Sequence, residues 1–309
     1  MRFIRKTSYK QDIQLFKHQG QMFWYGLLLV TVFVLPFLLD SFYIGELSMV
    51  FIYAIAGTGL MLLVGYTGLV SLGHAAFLAI GAYTHAYLMT HGWPLLPSMI
   101  SATLFTSLIG GLVGIPALRM TGIYLAVATL AFAIIIEQVL THWVSVTGGF
   151  RGMPVPLPEL FGIGIHDALS FYFFCLAILI ICMLLALNLL RSPTGRAMRA
   201  IRDSEISAQS MGIHLAYTKT LAFAISAGFT GLAGCLLAHK IGYLAPDGFT
   251  LLISIQLLIL VVVGGLGSLY GVIYGAFFIG FLPQAIALMR DYLPTKISQI
   301  PGLEPGIFG

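Results

Sequence analysis

The sequence predicts an all-α, polytopic integral membrane protein, and three observations carry that prediction. Of its 309 residues 59% are hydrophobic and only 8% charged, against about 25% charged in ordinary soluble domains, and the mean hydropathy is +0.98. Apolar runs of about 20 residues, the length that crosses a hydrocarbon core of roughly 30 Å, recur along the chain. The alternating segments of about ten residues that mark a β-barrel are missing, and a lipid-facing backbone must satisfy its own hydrogen bonds, which a helix does within one segment.

Eight or nine spans follow, near 22–39, 46–65, 68–90, 95–116, 122–143, 169–190, 221–241, 251–266 and 270–289. The first comes after a basic stretch, but it is long and no A-x-A-like cleavage site precedes Asp40, so an uncleaved anchor is expected rather than a signal peptide. The third contains "GYTGLVSLGHAAFLAIGAYTHAYLM", where glycines, two histidines and a serine interrupt an otherwise apolar chain. The last two are separated only by "GLGS" and read as two spans or one broken element. The whole of 1–309 is expected to be a single transmembrane domain.

Ten of the fifteen basic residues fall in two segments. Arg2, Arg5, Lys6, Lys10 and Lys17 precede the first span, and Arg191, Arg196, Arg199, Arg202 and Lys219 lie in the loop after the sixth. The positive-inside rule places both in the cytoplasm. Counting spans from a cytoplasmic N-terminus (1–21) also puts Arg119 and the 191–220 loop inside and the nearly uncharged 144–168 loop outside, so the two readings agree.

Cys175, Cys182 and Cys235 all lie within spans, an odd number without C-x-x-C, so neither a disulfide framework nor a metal site is expected. No cofactor and no nucleic-acid partner is expected. No P-loop motif G-x-x-x-x-G-K-[ST] occurs, so any ATP chemistry must come from another polypeptide. An intramembrane enzyme is disfavoured because neither H-E-x-x-H nor G-x-S-x-G is found.

The outer loop "SVTGGFRGMPVPLPELFGIGIHD" is rich in Gly and Pro and too short for a domain, which leaves a cap, a lid, a docking edge or a plain connector. The inner loop "RSPTGRAMRAIRDSEISAQSMGIHLAYTK" differs in kind. Ser192-Pro193 is a helix start, Ser204 after Asp203 offers a second N-cap, and Gly212 ends the second helix, giving one or two short helices. Arg196, Arg199 and Asp203 share one face, while Met198, Ile201, Ala208 and Met211 form an apolar side. That side suits a partner's groove, or an interfacial helix on anionic lipid.

These stretches carry a resemblance. "GRAMRAIRDSEISAQSMGI" followed by "YTKTLAFAISAGFTGLAGCLLA" resembles the cytoplasmic coupling motif of bacterial ABC importer permeases. "GLVSLGHAAFLAIGAY", "TGGFRGMPV" and "LLILVVVGGLGSLYGVIYGA" resemble the larger, M-type permease subunit of the high-affinity branched-chain amino-acid importers, and the likeness runs from about Ile44 to Gln284. It implies a helical pore in the inner membrane built with a homologous second permease, two cytoplasmic ATP-binding subunits, a periplasmic substrate-binding protein and the surrounding membrane lipid. It implies Leu, Ile or Val as solute, with urea, short amides or other amino acids in related permeases. The implied ATPase-coupling residues are Gly195, Arg196, Arg199, Arg202, Asp203, Glu205, Ala208 and Gly212. The chain itself is expected not to be an enzyme. The resemblance also implies a further span and a short cytoplasmic tail, whereas this sequence ends at "LEPGIFG", outside the membrane on this topology, so either a truncated sequence or a chain lacking its last helix is expected.

"GLVSL" at 68–72 recurs as "GLGSL" at 265–269, a short internal repeat that could place two broken elements around one pathway. Gly68, Ser71, Gly73, His74, Gly264, Gly265, Gly267 and Ser268 are the pathway candidates on that ground. The alternative is packing, with glycines for tight helix crossings and the serines bonded back to their own helices. The resemblance favours a structural role for His74. Glu137, in "AIIIEQVLTHW", is the remaining pathway candidate, and it pairs with Arg151 or His142, snorkels, or meets a substrate ammonium. A self-sufficient, ion-coupled transporter would carry carboxylates or relays in several spans; only Glu137 lies well inside one.

Overall fold

The computed structural model describes residues 31–118, 120, 122–160, 163–165 and 167–292. The expectations for 1–21, for most of the first span, for Arg119 and for the C-terminal "LEPGIFG" lie outside those residues. The chain divides into two compact units after Ile44. The first contributes the 3-10 turn Leu35–Phe37, opened by Pro36, and the first residues of helix α1 (Ser41–Leu60).

The second unit is helical. Beyond Leu60, α1 widens into a π-helical turn over Met61–Gly65. Then come α2 (His74–Thr90), α3 (Leu95–Ala117), α4 (Ile123–His142), α5 (Ala168–Arg191), α6 (Pro193–Asp203), α7 (Glu205–Ser210), α8 (Leu215–Ile241), α9 (Leu251–Gly264) and α10 (Leu269–Tyr292). Among the described residues, 7 helical segments are long and apolar enough to cross a membrane. At 17 residues, about 25 Å of helix, α2 falls just short and is buried over most of its length.

The spans differ from expectation in two places and settle one alternative. Residues 68–73 are not helical, and α2 begins only at His74. The stretch 251–289, two spans or one broken element by sequence, is two helices, parted at Gly265 and Gly267, whose φ angles of +96° and +85° few side chains tolerate. Finally, α8 starts at Leu215 rather than near 221, so Lys219 belongs to a helix and not to the loop.

Helix α8 is the centre of the bundle, packed along α3 and α2, while α9 and α10 pair with each other. The α2–α8 crossing is close enough to exclude side chains. A Cβ on Gly81 would lie 2.1 Å from the carbonyl oxygen of Gly231, and one on Gly234 would lie 2.1 Å from that of Leu78. In a bilayer, where lipid is as apolar as leucine, such approach supplies the packing contacts that hold helices together.

The 27 residues of α8 extend about 40 Å and separate two ends of the molecule. At one end lies the 191–214 segment. At the other, β1 (Met153–Pro154) pairs antiparallel with β4 (Tyr243–Leu244), Val155 N–H donates to Gly242 O at 2.9 Å, and Tyr243 Oη donates to Arg151 O. A small hairpin of β2 (Glu159–Leu160) and β3 (Ile163–Gly164) follows. The 145–167 loop is thus a cap knitted to the α8–α9 connection rather than a bare linker.

Candidate functional site

Two groups of residues bear on function, and they meet at the end of the bundle that holds 191–214. The inner loop folds as two short helices, for reasons local to its sequence. Ser192 Oγ accepts from Gly195 N–H at 3.4 Å with Pro193 in the first turn of α6, and Ser204 Oγ accepts from Ser207 N–H at 3.3 Å to open α7. Gly195 is buried in the α5–α6 turn, where a Cβ would meet Leu189 O at 2.5 Å. Gly212 adopts φ +83° as α7 ends, with Ile213 N–H donating to Ala208 O at 3.0 Å.

The apolar side of these helices turns inward. Met198 is buried with Leu63, Leu69, Leu125, Ala222 and Phe223, and Ile201 and Ala208 are buried as well. Of the four residues read as a partner-facing stripe, only Met211 is exposed, at 82%, and Ile206, not singled out from the sequence, joins it at 80%. Hydropathy marks a residue for burial without saying against what. Here the chain's own spans supply the partner.

The arginine row has an equally inward purpose. Arg196 Nη1 donates to Arg191 O at 3.1 Å, and Arg199 donates to Leu190 O at 2.5 Å and Gly195 O at 3.3 Å. Two arginines therefore cap the carbonyls at the C-terminus of α5, where a helix dipole favours cations. Arg202 reaches further, donating to Gly65 O at 2.9 Å while its Nη2 lies 3.2 Å from Asp203 Oδ1. Glu205 turns to Lys219, Oε2 to Nζ at 2.7 Å.

The second group surrounds the first glycine break. Gly68 has φ +75°, and the helix resumes at α2 with its leading amides met by side chains from two other helices and from Ser71. Leu72 N–H donates to Thr129 Oγ1 and Ala75 N–H to Ser254 Oγ, each at 2.9 Å, and Gly73 N–H donates to Ser71 Oγ at 3.3 Å. These satisfy amides that a helix N-terminus leaves without a partner. Gly73 itself abuts α4, where a Cβ would sit 2.7 Å from Thr129 O.

His74 is buried within this network. Ser226 Oγ donates to Gly59 O at 2.7 Å, so at its 2.8 Å contact with His74 it must accept, which places the ring proton on Nε2. Nδ1 then accepts from Ser71 Oγ at 3.1 Å. Both ring nitrogens are engaged. In the second break, Gly264 closes against Gly271, while Ser268 Oγ accepts from Gly271 N–H at 3.1 Å and caps α10. Ser71 and Ser268 thus each accept from a glycine N–H after a glycine break, two and three residues on respectively.

Glu137 stands apart from both groups. Among the described residues it forms no ion pair with Arg151, and His142 Nδ1 donates to Gln138 O at 2.8 Å. A second histidine contact, His85 Nε2 to His239 Nε2 at 2.8 Å, is invisible to the sequence, because its members lie 154 residues apart. The three cysteines are free and buried.

Residues 42–300 match the protein family described as "Branched-chain amino acid transport system / permease component". The chain is 36% identical over 304 residues to the high-affinity branched-chain amino acid transport system permease protein LivM of Salmonella typhimurium, covering 89% of this chain and 70% of that protein. Identity to LivM of Escherichia coli is 35% over the same length and shares. The autoinducer 2 import system permease protein LsrC of Salmonella paratyphi B is 26% identical over 280 residues, covering 85% of this chain and 78% of that protein. No solved structure matches the chain.

Proposed function

Since the chain belongs to the family of branched-chain amino acid transport permease components, we propose that it is a transmembrane subunit of an ATP-binding-cassette importer that moves Leu, Ile or Val across the inner membrane. It works with a homologous second permease, two cytoplasmic ATP-binding subunits that hydrolyse the nucleotide, and a periplasmic binding protein. The solute reading rests on the two LivM relatives; LsrC, named for autoinducer 2 import, is the reason other solutes stay in the test.

The observation that supports this mechanism most is the inner segment. Helices α6 and α7 are fastened to α5, α8 and the first glycine break, and they present Ile206 and Met211 outward. A segment held from behind and apolar in front suits the transmission of force from a docked partner. In this reading 1–21 and 191–220 are cytoplasmic and the 144–168 cap is periplasmic, in keeping with the opposite ends on which the latter two lie. An ion-coupled carrier fits less well, because among the described residues the carboxylates Glu46 and Asp247 lie at the ends of their spanning segments and leave Glu137 alone further in, where a relay needs several.

Proteoliposomes test the reading. Vesicles holding this chain, its partner permease and the ATP-binding subunits should accumulate leucine only with ATP and binding protein present, in competition with isoleucine and valine but not urea. Uptake by this chain alone on a proton or sodium gradient would overturn it.

A further inference from the structure

Arg202 occupies a position that neither the capping arginines nor the docking surface shares. Its Nη1 donates to Gly65 O at 2.9 Å, across 137 residues of sequence, at the point where the π-helical turn ends. Its stem lies on Gly68, where a Cβ would come within 3.2 Å of Cγ and 3.6 Å of Cα. A Cβ on Gly267 would lie 3.2 Å from Nη1 and 3.7 Å from Gly65 O. Gly267 N–H in turn donates to Met61 Sδ at 3.3 Å, a residue of the same π-helical turn. One side chain therefore fills the space between the two glycine breaks, and both breaks have positive φ where it passes.

The chemistry suits arginine. A guanidinium is planar with donors on several edges, so it can hold Gly65 O with Nη1 while Nη2 and Nε face Asp203 Oδ1 at 3.2 and 3.3 Å. A lysine ammonium is a point charge and cannot span both with the same geometry. Beyond Gly68 the chain runs directly into Ser71 and His74, and His74 bonds Ser226 of α8, so a displacement at the first break reaches the buried network within six residues of sequence.

We propose that Arg202 is a positioning residue that ties α6 to both glycine breaks, so that the α1–α2 and α9–α10 connections shift together when the inner segment moves. The proposal rests on the importer reading above for what moves α6, but the tie itself is a property of this chain. Arg196 and Arg199 hold α6 to its neighbour α5; Arg202 alone among the three carries α6 to the breaks.

The test uses the reconstituted complex with Arg202→Gln and Arg202→Lys. Two quantities are read: leucine molecules moved per ATP hydrolysed, and the spin-label distance distribution between cysteines at the exposed positions Ser207 and Leu266. Destabilisation alone removes active molecules and lowers uptake and hydrolysis together, leaving their ratio unchanged; a lost tie lowers the ratio. Arg202→Gln should cut the ratio about tenfold and broaden the distance distribution, with Arg202→Lys intermediate. Wild-type ratio and distances in Arg202→Gln would overturn the proposal. Should that variant fail to reach the membrane, Arg202→Lys decides by the same two readouts, reduced and broadened in support or unchanged in refutation. Failure of the importer reading shows separately, as a wild-type chain that retains no ATP-binding subunit, and the distance distribution still reads the tie.

Discussion

Lys219 Nζ lies 2.7 Å from Glu205 Oε2, and the lysine is only 1% exposed while the glutamate remains partly open to solvent. A charge taken out of water at the start of a spanning helix thus has its counter-charge delivered by α7, 14 residues away. Removing one member of such a pair strands the other, whereas replacing both with apolar groups of similar size is often neutral. Glu205→Ala should therefore lower stability by about 2 kcal/mol, a value below that for a fully buried pair because Glu205 is partly hydrated. Lys219→Met combined with Glu205→Leu should recover most of the loss. Thermal melts of the detergent-solubilised chain check both statements, and a double variant no better than Glu205→Ala would show that the pair is not what stabilises this junction.

The His74 network makes a second prediction. Ser71, His74, Ser226 and Gly59 O form one chain of bonds with no polar atom spare. Breaking one link leaves a buried donor or acceptor without a partner, at about 1–3 kcal/mol, and deletions within one network do not add. His74→Ala and Ser226→Ala should each lower the melting temperature, and the double variant should lose markedly less than the two losses combined. If the singles leave stability untouched and instead raise the KM for leucine, the network belongs to the solute route.

The contrast between these two sites shows what is readable from sequence. Helix starts at Ser192-Pro193 and Ser204, and the stop at Gly212, are set by bonds spanning three or four residues, so local patterns reveal them. Hydropathy puts Lys219 in a loop because it scores a lysine as solvent-seeking, and the neutralising Glu205 is not visible to a local window. A local window starts α2 at 68 instead of 74 for the same reason. The amides that end the extended stretch are met by Thr129 and Ser254, which no reading of 68–90 contains. Met198 is legible as apolar, but its partners Leu63 and Phe223 come from other spans.

Sidedness is the third prediction. Ser207 and Ser145 are exposed and lie at opposite ends of the bundle, the first beside the Glu205–Lys219 pair and the second in the cap that pairs with β4. In a chain with its native cysteines replaced, a cysteine at 207 should react with an impermeant thiol reagent only in inside-out vesicles, and one at 145 only in intact cells stripped of the outer membrane. The reverse pattern would invert the topology while leaving the opposition of the two ends intact.

The last prediction concerns the outward side of α7. Ile206 and Met211 are 80% and 82% exposed and flank the buried Ala208, which is 1% exposed. If the ATP-binding subunits seat on this face, the two large apolar residues are its anchors, and anchors of that kind are worth about 2 kcal/mol or more each on truncation. Ile206→Asp and Met211→Asp should then abolish retention of ATP-binding subunits in a pull-down at matched membrane levels. Their effect on the melt of the isolated chain should stay within about 0.5 kcal/mol, as for exposed positions generally. Ala208→Arg should fail differently, by lowering the amount of folded chain, because position 208 faces the protein's own interior. Gly212→Val sits between the two cases. Its φ of +83° costs an L side chain about 1–2 kcal/mol, and relief of that strain would turn Met211 away from the docking face, so subunit retention should fall further than stability. Arg196→Ala, which removes only a cap on Arg191 O, should do little to either. Full retention and uptake in both aspartate variants would mean that the outward side of α7 meets lipid or solvent, and the contact that drives the breaks at Gly68 and Gly267 would have to be made elsewhere on α6.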